Sequence, residues 1–356
     1  MRKGLHTGLN LNSIIQMATI KDVAKRAGVS ITTVSHVINK TRYVSDELLN
    51  SVNKAMEELD YHPNILARGL RRGETKTIGL VIPDISNQFF AEISRKIEDK
   101  GFEHGYSVIM CNTDDDYLKE KSYIDVLIAK HVDGIIFISA GVVSDTFERT
   151  IELKIPIVVA DRDIRTNNSD IVLVDNHLGG FEATKYLINL GHKRIGCIAG
   201  PSSVTPSAQR LEGYKSALKD AGLMIDTTLI IPGDFRYQSG DKAMQAMLSN
   251  PQRPTGVFAC NDMMALGAIR AVHDRGFKIP DDISLIGFDN IPLSQTVYPS
   301  LTTMSQPLQE MAELVIDLLT KRIEFKNQRQ KDKEELKFQR IVLEAKLIER
   351  DSCREI

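Results

Sequence analysis

The sequence predicts a small all-α head followed by a larger α/β body built on two doubly wound parallel sheets. Three observations lead there. Residues 17–62 carry three short helical patterns and no strand-like run. From Ile78 onward, continuous apolar runs alternate with helical patterns, as parallel strands buried on both faces do. The chain's 356 residues are too many for one small core and suggest two or three domains.

Composition fits this class. Hydrophobic residues make up 42% and charged residues 26%, the balance of a globular protein. No apolar run approaches the roughly 20 residues needed to span a membrane. Cys111, Cys197, Cys260 and Cys353 are far apart and form no CxxC pair. This argues against a disulfide scaffold or a zinc site, favours buried thiols, and suits a reducing cytoplasm. The opening MRKGLHTGLNLNSIIQ starts positively charged, as a secretion signal would, but Asn10, Asn12 and Ser13 break its apolar stretch. Residues 1–16 therefore read as a disordered extension, and Met17 is a candidate natural start. Charge is uneven. Met17 to Thr77 holds ten Lys/Arg against seven Asp/Glu, and the 279 residues from Ile78 onward carry −7. A basic head on an acidic body points to a polyanion partner for the head alone.

The head justifies itself residue by residue. In TIKDVAKRAGVSITTVSHVIN (Thr19 to Asn39), Thr19 and Asp22 form a capping-box pattern. Ile20, Val23, Ala24 and Ala27 make one apolar stripe, Gly28 closes the first helix, and Ser30 caps the second. Val34, Val37 and Ile38 then face inward. Ile31, Thr32, Thr33, Ser35 and His36 remain outside, where a recognition helix meets base edges. A third helix, Asp46 to Leu59, is expected to complete the core through Leu48, Leu49, Val52, Met56 and Leu59. A three-helix bundle without a nucleic-acid role would share this spacing.

The wording decides between them. TIKDVAKRAGVS…TVS.VIN followed by YHPN.LARGL resembles the DNA-binding head of the lactose-repressor (LacI) family of bacterial transcription regulators. The resemblance runs from Met17 to the C-terminus. It implies that Thr19 belongs to the DNA-binding surface, that Ile31, Thr32 and His36 read operator bases in the major groove, and that Thr33 and Ser35 bind phosphate. It also implies that NILARGLRRGETKT (Asn64 to Thr77) is a hinge that becomes helical on DNA. Leu70 is then a wedge in the minor groove, with Ala67 beside it and Arg68 and Arg71 toward the backbone.

In the body the strands read at 78–82, 107–111, 134–138, 157–160, 171–174, 195–199, 256–259 and 283–287. Helices fall near 89–104, 118–130, 177–190, 208–221, 237–248, 262–275 and 307–320. Lys321 to Glu335 reads as an exposed charged connection before a last strand, Arg340 to Leu343. Ligands of open α/β sheets bind at the carboxyl ends of strands. Those ends carry Asn87, Phe89 and Phe90; Asp161 and Arg162; Asn261 and Asp262; and Asp289. Arg210, Phe235 and Gln306 follow in connected loops and helices. Aromatic faces with planar bidentate groups are what a small polyol needs: C–H faces stack on rings, and vicinal hydroxyls are bridged. Each residue alone has an ordinary reading, such as a surface pair for Asp161–Arg162 or a turn for Asp289.

By the same resemblance the body has the fold of the periplasmic sugar-binding proteins, with two sub-domains (78–176 with C-terminal returns, and 177–305). It is similar to the ribose-binding proteins of that superfamily. Their Asn-x-Phe-Phe falls on Asn87, Phe89 and Phe90, and their Asp-Arg pair on Asp161 and Arg162. The remaining ligand positions fall on Arg210, Phe235, Asn261, Asp289 and Gln306, each matching in residue type. The expectation is a homodimeric repressor of palindromic operator DNA, located in the cytoplasm, with D-ribose as inducer, no cofactor and no metal. Within the family a purine-type regulator is the alternative. Purine binders carry an additional arginine before Arg210, where this chain has GPSSVTPSAQR. A regulator answering to a phosphorylated carrier protein tends to have arginine where Tyr298 stands. A periplasmic solute-binding protein conflicts with the DNA-binding head. An enzyme is disfavoured too: no nucleophile–base pair or phosphate loop is present, LGHKRIGCIAG is not GxGxxG, and His192 reads as capping a helix end.

Overall fold

The computed structural model describes residues 18–39, 42–61, 74–138, 145–163, 168–327 and 336–356. The expected extension 1–16 and the hinge positions Ala67, Arg68, Leu70 and Arg71 lie outside them. Contacts divide the chain into two units, Met1–Thr75 and Lys76–Ile356.

In the first unit α1 (Ile20–Ala27), α2 (Ile31–Asn39) and α3 (Asp46–Glu58) enclose Val23, Ala24, Val34, Val37, Val52 and Ala55. The Asp22 carboxylate accepts from both the backbone N–H and the hydroxyl of Thr19, at 2.9 and 2.6 Å. These bonds hold its carboxyl below the usual range. Gly28 ends α1 in the left-handed region (φ 67°), which costs glycine nothing. Ser30 Oγ accepts from the N–H of Thr33 at 3.0 Å. Two expectations fail here. Leu48 and Leu49 are exposed, and Ala55 takes the place beside Val52. With Val52 inward on α3, 48 and 49 sit one turn earlier but flank the buried stripe rather than occupy it.

Among the described residues the second unit forms two six-stranded sheets. Chain order is β1 (Thr77–Ile82), α4 (Gln88–Glu103), β2 (Ser107–Asn112), α5 (Tyr117–Ala129), β3 (Gly134–Phe137), α6 (Asp145–Glu152), β4 (Ile157–Ala160), β5 (Asp170–Val174) and α7 (Asn176–Asn189). Then come β6 (Ile195–Ala199), α8 (Thr205–Asp220), β7 (Ile230–Pro232), α9 (Tyr237–Ser249), β8 (Gly256–Ala259), α10 (Asp262–Asp274), β9 (Ser284–Asp289), α11 (Pro292–Thr296), β10 (Thr302–Ser305), α12 (Leu308–Asn327), β11 (Arg340–Leu343) and β12 (Lys346–Ile348).

The first sheet, ordered β11-β5-β4-β3-β1-β2, is parallel throughout. The second, β12-β10-β9-β8-β6-β7, is parallel except for β12 against β10. The chain crosses between the sheets after β5, after β10 and between β11 and β12. β1, β4, β6, β8 and β9 are buried almost without interruption, which is why they read as continuous apolar runs. Among the described residues no helix is long and apolar enough to cross a membrane.

α12 corrects the expected exposed connection at 321. Ile323 continues the buried stripe of Ile316 and Leu319. Arg322 donates from Nε and Nη2 to buried Asp170 at 2.7 and 3.0 Å. That ion pair and the stripe carry the helix through a charged stretch. α8 begins at Thr205 rather than 208, with a proline in its first turn, a position where the missing N–H costs nothing. His192 does not cap α7 with its side chain; its buried ring meets Thr255 Oγ1 at 2.9 Å.

Candidate functional site

Two surfaces matter. On the head, Ile31 and Thr32 are exposed at the start of α2, while Thr33, Ser35 and His36 are half-buried beside them. Thr33 Oγ1 lies 2.9 Å from the capping Ser30 Oγ, and Ser35 Oγ accepts from Asn39 Nδ2 at 3.2 Å. The outer side of α2 is therefore a short polar ridge opening with one apolar side chain. Thr19 is exposed at the N-terminus of α1.

In the second unit, one cleft of about 310 Å³ collects nine of the ten predicted effector residues. From the first sheet's side come Asn87, Phe89, Phe90, Asp161 and Arg162. Asn87 caps α4, its Oδ1 accepting from the N–H of Phe89 at 3.1 Å. The rings of Phe89 and Phe90 meet edge to face at 5.0 Å. Both are largely buried, and Phe90 also lies 5.9 Å from the Arg162 guanidinium. Asp161 ends β4 in the left-handed region (φ 66°), which aspartate tolerates better than most residues. Burial pushes its carboxyl up in pKa, while the charges of Arg162 and Arg210 oppose the shift. Arg162 is only 3% exposed, yet its Nε and Nη1 have no hydrogen-bond partner among the described residues. Its nearest carboxylates, Asp161 and Asp115, stand 3.9 and 3.8 Å away.

From the second sheet's side come Arg210, Phe235, Asn261 and Asp289. Arg210 is held at Nε and Nη1. Nε donates to Asn176 Oδ1 at 2.8 Å, and Nη1 to the Cys260 carbonyl at 2.7 Å and to Asp289 at 3.3 Å. Its guanidinium stacks 3.7 Å from the centre of the Phe288 ring. Asn261 caps α10 through Oδ1 and donates from Nδ2 to the Phe235 carbonyl at 3.0 Å. Phe235 has φ 66°, and Gly200 leaves room for its ring: a Cβ there would sit 2.4 Å from it. Asp289 has φ 108°. Burial raises its carboxyl to about 6, against the pull of Arg210 and Gln306. Gln306 is not on the cleft surface. It stands behind Asp289 and donates to it at 2.8 Å.

Three left-handed non-glycine residues thus face one space, the clustering of strain that marks ligand sites. The chemistry offered is two aromatic rings on one wall and a third on the other, two guanidiniums, two carboxylates and two amides. Sequence reasoning missed Asn176, Val204 and Pro206, which support or line the cleft. Asn176 follows β5, so the strand-end rule would have found it; Val204 and Pro206 carry no chemical signal. Tyr298 is 96% exposed. Among the described residues no group of three or more His, Cys, Asp or Glu could hold a metal ion.

Residues 19–64 match the bacterial regulatory proteins of the lacI family, and residues 184–353 match the periplasmic binding protein-like domain. Over 342 residues the chain is 41% identical to the ribose operon repressor of Escherichia coli, spanning 95% of this chain and 100% of that one. Over 313 residues it is 42% identical to the HTH-type transcriptional repressor PurR of Pasteurella multocida, spanning 88% and 94%. Among solved structures it resembles the lac repressor dimer bound to operator and an anti-inducer (TM-score 0.81, 28% identity, 95% and 99% covered). It also resembles a LacI family regulator from Enterococcus faecium with bound ribose (TM-score 0.70, 32% identity, 79% and 99% covered).

Proposed function

Since this chain belongs to the LacI family of bacterial regulatory proteins, and is a DNA-binding transcriptional repressor with a sugar-binding core rather than an enzyme, we propose that its effector is D-ribose or a close pentose acting as inducer. The observation that carries the reading is the cleft itself. Phe89, Phe90 and Phe235 offer ring faces for C–H groups, and Arg162, Asp289 and Asn261 offer the bidentate geometry that vicinal hydroxyls require. The cleft is walled by three rings and by two guanidiniums and two carboxylates, a lining that suits one sugar ring. A ribose operon repressor among the relatives and a ribose-bound regulator among the structural neighbours support the same ligand.

The protein acts as a homodimer on a palindromic operator, each copy placing α2 on one half-site. Ile31, Thr32 and His36 read bases and Thr33 and Ser35 take phosphates, with Thr19 alongside. In the hinge Leu70 is the minor-groove wedge, with Ala67 beside it and Arg68 and Arg71 toward the backbone. Ribose closes the cleft and favours the arrangement in which the two hinges separate. It does so only to the extent that it binds that arrangement more tightly.

Titration calorimetry with ribose, hypoxanthine and guanine tests the ligand. Micromolar ribose binding that is abolished in Asp289→Ala is expected. Purine binding with no response to ribose replaces this reading with a purine-type regulator, which PurR-like relatives would favour. For the wedge, Leu70→Ala is expected to weaken specific operator binding far more than non-specific binding; equal losses on both would refute the assignment.

A further inference from the structure

Asp289 ends β9 in an unfavourable backbone conformation, and the next residue, Asn290, is also left-handed (φ 108° and 56°). Two such residues in a row hold only if their surroundings over-determine them. Asp262, the first residue of α10, supplies much of that. It is fully buried and does not line the cleft. Its Oδ2 accepts from the N–H of Ile291 at 2.9 Å, and its Oδ1 from the hydroxyl of Thr303 at 2.6 Å. Thr303 Oγ1 in turn accepts from the N–H of Asn290 at 3.4 Å. On the other side Arg350 donates to Asn290 Oδ1 at 2.6 Å and to the Leu301 carbonyl at 2.6 Å. Gly287 is what admits this arrangement: a Cβ at that position would sit 2.1 Å from Asp262 Oδ1.

We infer that Asp262 is a positioning residue for the effector, which fixes Asn261 and Asp289 relative to each other by clamping the Asp289–Ile291 loop to the start of α10. The inference rests on the reading that Asp289 binds the effector. Asn261 and Asp289 come from the ends of neighbouring strands β8 and β9. Arg210 bridges those ends from the cleft side through the Cys260 carbonyl and the Asp289 carboxylate, and Asp262 ties them through the backbone of the loop itself. It touches no ligand; Thr303 and Arg350 complete its grip. What the position needs is one oxygen to accept from the Ile291 N–H and a second polar atom for the Thr303 hydroxyl, which can donate or accept.

The test uses the full chain. Asp262→Ala removes both acceptors. Asp262→Asn can keep both bonds, since its Oδ1 accepts from Ile291 while its amide N–H donates to Thr303 Oγ1. In ribose calorimetry we expect a loss of about tenfold or more for D262A and about threefold or less for D262N. Introduced into Asp289→Asn, D262A should cost about twofold or less, because its effect passes through Asp289. Wild-type affinity in D262A, or an undiminished loss in the D289N background, overturns the inference. A crystal structure of sugar-free D262A is independent of the ligand. Asp289 is expected to leave Arg210 and Gln306, and an unmoved Asp289–Ile291 loop overturns the inference even if the effector is not ribose. Absence of ribose binding to the wild type instead overturns the ligand reading alone. Should D262A not fold, Thr303→Val removes only the bridging hydroxyl; an unmoved Asn290 in its crystal structure overturns the inference.

Discussion

The two walls of the cleft are built on different principles. On the second sheet's wall the polar groups are already tied to protein: Arg210 makes three hydrogen bonds, Asp289 accepts two and Asn261 makes two. On the first sheet's wall Arg162 is as deeply buried but keeps two nitrogens without a hydrogen-bond partner among the described residues. One wall is preorganised; the other holds unmet donors that a ligand's hydroxyls would satisfy. Preorganisation lowers the ordering cost of binding, and a buried donor without a hydrogen bond is costly until it is satisfied. The second wall should therefore govern stability and binding together, and the first should govern binding with less effect on stability.

Arg210→Met gives the largest expected effect. It strips partners from Asn176 and Asp289, both buried, and should destabilise the sugar-free protein by about 3–5 kcal/mol while abolishing sugar binding. Thermal unfolding with calorimetry reads both. Arg162→Met should cost sugar affinity comparably, yet lower the melting temperature less than half as much. Equal melting losses in the two variants would erase the contrast between the walls.

The pH response is smaller. Asp289 titrates near 6 in the fold against an ordinary 3.8. Its contribution is thus most favourable below about pH 3.8, and is lost as pH rises through 6. The full span is about 3 kcal/mol. Asp161 moves in the same direction, while His192, whose pKa is lowered by burial, acts oppositely. The observable is therefore a difference: acidification from pH 7 to 5 should stabilise the wild type relative to Asp289→Asn. A pH-independent difference would show that Asp289 is not buried as described. Smallest is Phe90→Leu, which removes one ring of the edge-to-face pair and should weaken sugar binding by about 1 kcal/mol, with little change in the second wall.

How much of this could be read from sequence follows the same physics. Strands buried on both faces are continuous apolar runs, so IGLVI, IVVA and GVFA locate themselves and their ends locate the ligand groups. Thr302–Ser305 escapes because its burial is achieved with polar residues: Thr302 and Thr303 are fully buried through hydroxyl hydrogen bonds. Lys346–Ile348 and Ile230–Pro232 are three-residue edge strands, too short to show a period. The last turns of α12 were hidden because Arg322 is held by Asp170, far away in sequence. The role of Asp262 has no sequence signal, because it depends on Ile291 and Thr303 lying beside it.

That borrowed partnership between Asp170 and Arg322 has a consequence for synthesis. The core of the first sheet runs from Ile78 to Val174 but also needs Met311 through Ile323 and Leu343, and β11 is its edge. The second sheet's buried core runs from Ala183 to Met304, and the chain's end adds to it only the edge strand β12 with Ala345, Leu347 and Cys353. A ribosome thus delivers the first lobe early but unfinished, holding exposed β1 and β3 until the last segment emerges. The lobe made second lacks only an edge strand once residue 306 has left the ribosome, and nascent chains emerged to that point should protect β8 and β9 from proteolysis before β1.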